Sequence, residues 1–234
     1  MKKHTKDILI ALLVIFLFLF YSDFLIIPLY ALGIDINKLS DFYKILFLLF
    51  SESTLVLIIF LIYKHDMLKD WNDFKKNWKN YFEDYIKYWI ILLILMYASN
   101  AVILLIQKLA NHSQDIASNE EAVRKLINHY PIYMVISAIL LGPLEEEIVF
   151  RKTFKKIFRN KWVFIILSGL FFGLMHVILT MKEPIDLLYI ISYSIPGFIF
   201  AYVYDKSKNL FVNTMLHTIH NGVLVALQLL LMII

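Results

Sequence analysis

Apolar residues run along this chain in seven long stretches, at about 8–30, 42–63, 86–107, 131–154, 162–180, 185–204 and 210–232, separated by short polar connections. A helix needs about 20 mainly apolar residues to cross the hydrocarbon core of a bilayer, and each stretch comes close to that length. The pattern predicts an all-α fold, a polytopic transmembrane helical bundle of about seven spans. One connection differs from the rest. Between residues 64 and 87, Trp71, Phe74, Trp78 and Phe82 recur at three- and four-residue intervals among Lys and Asp, which predicts an inner amphipathic loop, read either as a helix lying at the interface or as a charged connector with interfacial aromatics. The fourth stretch opens after Pro131 and contains Gly142-Pro143. Proline inside a helix removes a hydrogen bond, so a kink is expected just before Glu145-Glu146-Glu147.

Composition reinforces the membrane reading. Hydrophobic residues make up 60% of the 234 positions and charged residues 18%, against about 45–50% apolar in a soluble domain. The spans leave no length for a separate soluble enzyme, so any site must be built from the helices. A net charge of +4 could suit nucleic acid, but the basic residues gather at span ends. With the N-terminus inside, 17 of the 23 Lys and Arg fall on inner segments and six on outer ones. That bias predicts a multi-pass protein of the cell membrane with a cytoplasmic N-terminus, an external C-terminus and no nucleic-acid partner. The basic start at Lys2 and Lys3 resembles a signal peptide but lacks a small-residue cleavage site, so a retained first span is expected. Cysteine is absent, which excludes disulfides, thiolate nucleophiles and Cys-ligated metals.

Ionisable groups inside spans are functional candidates. At about 100° per residue, Arg151 lies roughly 40° from Glu147 and roughly 140° from Glu146. The i, i+4 pair is therefore Glu147 with Arg151, and Glu146 is left as the working carboxylate. The competing reading makes all three acids solvated charges beside Arg151 and Lys152 at the inner interface. Depth argues against it: counted at ~1.5 Å per residue, Glu146, His176 and Asn221 each lie about 20 Å from the inner ends of their helices, with His217 one turn shallower. Three helices are thus expected to line one cavity.

Such a set has hydrolase logic. A carboxylate backed by His176 can hold and deprotonate water, while His217 and Asn221 can donate to the oxyanion formed at a peptide carbonyl. Zinc held by Glu146, His176 and His217 is the alternative chemistry, although the compact H-E-x-x-H helix is missing. Two other classes stay open: a catalytically silent scaffold or immunity protein, and an ion-coupled transporter motivated by Glu52 and Asp23, for which paired halves are expected and not found. Glu52, Asp23 and Glu145 receive no role.

The order Pro143-x-x-Glu146-Glu147-x-x-Phe150-Arg151, then Phe172-x-x-x-His176, then His217-x-x-x-Asn221 resembles the CAAX protease and bacteriocin-processing family of intramembrane glutamic endopeptidases. Arg151 fixes the register, making Glu146 and Glu147 the motif pair. Lys152 departs from the glycine that many members carry there. The likeness covers about Asn119 to Val225, giving N-terminal spans over 1–114 and a CAAX-protease-like core over 115–234. It implies catalytic roles for Glu146, His176, His217 and Asn221, supporting roles for Glu147, Arg151 and Phe172, and no obligatory cofactor. This Lys-, Ile- and Asn-rich chain looks like the bacterial kind, which implies a peptide or membrane-protein substrate in maturation, signalling or bacteriocin immunity rather than a prenylated tail.

Overall fold

The computed structural model describes residues 3–111 and 116–231. The expected boundary between 114 and 115 and the basic residue Lys2 lie outside the described residues. Within these residues eight helical rods follow one another: α1 (Lys3–Ala31), α2 (Asp41–Ile62), α3 (Lys64–Leu109), α4 (Ser118–His129), α5 (residues 131–157), α6 (Lys161–Ile178), α7 (Tyr189–Ser207) and α8 (Leu210–Leu231). Among the described residues, six of these helices are long and apolar enough to cross a membrane. The fourth expected span is α5, which is long enough but not uninterrupted. Its α-helical segments alternate with π turns at Ser137–Leu141 and Ile148–Thr153.

Gly142-Pro143 sits where the first π turn hands over to Gly142–Glu147. The flanking residues keep right-handed helical dihedrals, Leu141 at φ −73°, ψ −51° and Gly142 at φ −57°, ψ −54°. The missing proline donor is therefore absorbed by a wider turn instead of a break in the rod, as π turns in membrane helices allow.

The expected loop at 64–87 is corrected by α3, a single helix of 46 residues. At ~1.5 Å per residue it is roughly 70 Å long, more than twice the ~30 Å hydrocarbon core. Its polar first half is tied to the bundle by charge. Asp66 meets Lys156 at 3.1 Å, Asp70 meets Lys152 at 2.9 Å, and Asp73 accepts from Asn209 at 2.9 Å. Lys152, in the position where glycine was expected, is the buried end of this clamp. Trp71 and Phe74 pack on Phe211 at the start of α8, with ring centroids 5.0 and 6.3 Å apart.

α1 ends at Gly33, whose φ of +79° is the left-handed conformation that glycine adopts at no steric cost. α1 and α2 join through Tyr21 and Thr54, 3.0 Å apart, and α1 packs Phe18 edge-on against Phe150 of α5. α6 and α7 approach closely at paired glycines, where a Cβ on Gly197 would lie 2.7 Å from the Gly169 backbone. Small residues at a crossing let two backbones approach, a main source of helix association in lipid. This contact fixes α6, which carries His176, against α7 and through it against α8.

Candidate active site

Three helices supply the site. α5 presents Glu146 and Glu147 one residue apart, so a 100° step sends them to different surroundings. Glu147 points into the packed interior and is wholly buried. Glu146 keeps 24% of its side-chain surface open. The reading of all three acids as solvated interface charges is corrected by Glu147.

Glu147 is the hub of a buried network. Its Oε2 accepts from Arg151 Nε at 3.0 Å and from Asn213 Nδ2 at 3.1 Å, and its Oε1 accepts from His217 Nδ1 at 3.0 Å. Arg151 extends the network by donating to Ser168 Oγ at 2.6 Å, and Ser168 in turn donates to the Phe150 carbonyl at 2.6 Å. The guanidinium lies 5.0 Å from the Phe172 ring centroid, a desolvated cation over a π face. Charge is compensated at zero exposure, where an unpaired ion would be very costly, although Arg151 Nη2 and Asn213 Oδ1 have no hydrogen-bond partner within the chain.

The ring contacts of Glu146 follow from which nitrogen of each histidine is already committed. His217 gives its Nδ1 proton to the Glu147 carboxylate, so Nε2 faces Glu146 Oε2 at 3.5 Å. His176 Nδ1 lies 2.9 Å from the Phe172 carbonyl, which can only accept, so Nε2 faces Glu146 Oε1 at 4.0 Å. Glu146 Oε2 has no hydrogen-bond partner within the chain. Acceptors from three helices therefore converge on one space beside Glu146. The His176 ring stacks on Tyr193 (5.4 Å, interplanar 19°) and meets Phe172 at a tilt (4.5 Å, 31°), contacts that restrain its plane.

Glu146, Glu147, Arg151, Phe172, His176 and His217 are thus brought together as the sequence expects. Asn221 is engaged elsewhere on α5: its Nδ2 donates to the Ala138 carbonyl at 2.8 Å. Among the described residues, no three His, Asp or Glu side chains form a group able to hold a metal ion. Three residues escaped the sequence reading. Asn213 precedes His217 by four, a helical repeat that continues to Asn221 and was available as a signal. Ser168 and Tyr193 carry no local signal, since their partners lie on other helices. Of the unassigned acids, Asp23 is exposed, and Glu52 accepts from Tyr133 and Ser137.

The chain was compared with known proteins. The sequence model described as type II CAAX prenyl endopeptidase Rce1-like matches residues 128–223, a range containing all three motifs. The chain is 30% identical over 210 residues to the membrane-embedded CAAX protease MroQ of Staphylococcus aureus (strain USA300), covering 85% of this chain and 78% of that protein. Over 116 residues it is 30% identical to YdiL of Bacillus subtilis (strain 168), named as a candidate membrane peptidase, with 48% of this chain matched. That match spans only 44% of the Bacillus relative's own length. An uncharacterized protein of Mycoplasma capricolum subsp. capricolum is 28% identical over 200 residues, 82% of this chain and 57% of that one. No solved structure matches the chain. On the motifs in place and the likeness to MroQ across most of both chains, this protein belongs to the CAAX protease and bacteriocin-processing family of membrane proteases.

Proposed function

We propose that the chain is an intramembrane endopeptidase that hydrolyses a peptide or membrane-protein substrate with water activated by Glu146 and His176. The observation that carries this reading is the convergence of Glu146 with the Nε2 atoms of His176 and His217 at 4.0 and 3.5 Å, around a carboxylate oxygen without a partner. A water donates two hydrogens and so suits a space ringed by acceptors. Glu146 takes one proton as the water oxygen bonds to the peptide carbonyl carbon. The second amide hydrogen of Asn221 serves the resulting oxyanion, as does His217 once a second proton at Nε2 joins the Nδ1 proton held on Glu147, an imidazolium that the Glu147 carboxylate stabilises. Glu146 then passes its proton to the amine nitrogen as the C–N bond breaks. Glu147 and Arg151 order the site without touching substrate.

The reading places the protein in the cell membrane with its N-terminus cytoplasmic and its C-terminus external. No cofactor is required, and zinc on Glu146, His176 and His217 is the rival within the same site. The test is N-terminal peptide profiling of proteoliposomes that hold a membrane-protein extract and either the wild-type chain or Glu146→Gln. New N-termini made by the wild type and absent with the variant are expected. Equal cleavage by both, or none by either, overturns the proposal. Stoichiometric zinc in the purified protein, with activity lost on chelation and restored by zinc, would replace the water mechanism with the metal one.

A further inference from the structure

Among the features unused by that mechanism are the half-buried acid Glu52 on α2 and the dipeptide Gly142-Pro143 in α5. These two meet at one π turn. Gly142 N–H bonds five residues back to the Ser137 carbonyl, which is the π register. Pro143 has no N–H, so it can serve neither Ala138, its acceptor five residues back, nor Ile139, its acceptor four back. Those two carbonyls accept from α8 instead: Asn221 Nδ2 reaches Ala138 O at 2.8 Å and Thr218 Oγ1 reaches Ile139 O at 2.9 Å. Gly222 faces Ile139 at this contact, where even an added Cβ would lie at an ordinary 3.9 Å from the Ile139 side chain. Buried carbonyls in a membrane must find donors, and the proline directs these two to the helix that carries His217.

The other side of the same turn is held by Glu52. A single carboxylate oxygen, Oε1, accepts from Tyr133 at 2.5 Å and from Ser137 at 2.9 Å. The two donors are four residues apart and so share one face of α5, and Ser137 opens the π turn. We propose that Glu52 is a positioning residue: through Tyr133 and Ser137 it fixes the π turn whose proline-freed carbonyls anchor Thr218 and Asn221. It thereby sets where the Asn221 amide stands relative to Glu146. Glu52 touches neither substrate nor water in this scheme. The inference rests on the proteolytic reading only for its consequence for rate; the anchoring itself holds whatever the site does.

The experiment therefore has two arms. In the first, nitroxide labels on Leu140→Cys and Val223→Cys, both exposed positions of a chain without native cysteine, report the α5 to α8 distance by dipolar broadening in proteoliposomes. One narrow distance is expected for the unmodified background and for Glu52→Gln, whose Oε1 still accepts both bonds. A shifted or broadened one is expected for Glu52→Ala and for Pro143→Ala, which restores a competing N–H. In the second arm, a quenched fluorescent peptide built on the strongest cleavage site gives kcat and KM. Glu52→Ala and Pro143→Ala should lose about 10- to 100-fold in kcat, the scale of a ~1 Å misplacement, with KM within about 2-fold, and Glu52→Gln should recover most of the loss. Unaltered label distances in Glu52→Ala and Pro143→Ala overturn the anchoring. Altered distances with unaltered kcat overturn the positioning role. Glu52→Gln behaving like Glu52→Ala would replace positioning by a role for the charge. An inactive wild type with the expected distances refutes the protease reading and leaves the anchoring standing.

Discussion

Replacing either of two adjacent carboxylates by its amide should damage this protein in opposite ways. In Glu147→Gln the new NH2 must occupy the place of Oε1 or Oε2. At Oε2 it would face the donors of Arg151 and Asn213, which lie 3.0 and 3.1 Å away; at Oε1 it faces His217 Nδ1 at 3.0 Å. The second placement is the cheaper, since imidazole can move its proton to Nε2 and accept at Nδ1. Even so, the Arg151 guanidinium, with zero exposure, loses its counter-charge. Breaking a buried pair costs about 3–5 kcal/mol, and retention of one accepting oxygen puts the amide near the lower figure, about 3 kcal/mol. Glu146→Gln removes no strong bond, because its nearest ring nitrogens lie 3.5 and 4.0 Å away and 24% of the side chain is open. Its cost should stay within about 0.5 kcal/mol, the usual range for substitutions away from packed networks.

At roughly 2–4 °C per kcal/mol for a chain of this size, Glu147→Gln should lower the unfolding midpoint by about 6–12 °C while Glu146→Gln shifts it by no more than about 2 °C. Thermal unfolding of the detergent-solubilised protein, followed by tryptophan fluorescence, measures both. Adding Arg151→Met to Glu147→Gln should recover part of the loss, since an apolar group needs no counter-charge. A midpoint for Glu147→Gln within about 2 °C of wild type would refute the assignment of Glu147 as the charged anchor. So would equal destabilisation by the two amides.

Other consequences are more local. Asn213→Leu strips donors from Glu147 and from the Phe200 carbonyl, so about 1–3 kcal/mol should be lost in the same unfolding assay, with Asn213→Gln intermediate. Gly197→Ala puts a methyl group 2.7 Å from the Gly169 backbone, and the α6–α7 crossing should lose about 1–3 kcal/mol from overpacking; unaltered stability would mean that the helices separate freely. Lys152→Met leaves Asp70 without its 2.9 Å partner, and trypsin should then cut faster at Lys69, Lys75 and Lys76. Glu121 sits on α4, where hydrogen bonds from Lys125 and then Lys182 hold its carboxyl down to about 2 from 4.5. A lowered folded value stabilises above the ordinary one and is lost as pH falls through the folded one. Hydrogen exchange of α4, corrected for intrinsic rate, should therefore rise between pH 4.5 and 2, and Lys182→Met should blunt that rise.

The sequence was most legible where spacing within one helix decides the outcome. The Glu147–Arg151 pair followed from an angle, and the span pattern followed from length and apolarity. It was least legible where partners lie far apart in the chain, as with Glu52 and Tyr133 or Asp70 and Lys152. The stretch at 64–87 is helical, as one of its two readings had it, but its separation from the third span does not hold. Polarity was read as a connection, yet residues 64–109 contain neither glycine nor proline, and without a breaker the helix simply continues. α4 likewise had its signals, with Glu120 and Glu121 in the first turn and Pro131 just beyond its end.

Asn221 exposes the limit of reading motifs as sites. Its i, i+4 relation to His217 places both on one helical face, but a face is not a partner. The carbonyl that the asparagine meets, Ala138 on another helix, is open because Gly142, its ordinary donor, bonds Ser137 instead and Pro143 beyond it has no N–H. Pro143 in turn precedes Glu146 by three residues, so the residue that frees the acceptor and the residue proposed to activate water share one turn of one helix. Moving either along the chain would break their coupling. Proline can hold that position because the π turn before it absorbs the missing hydrogen bond without breaking the rod.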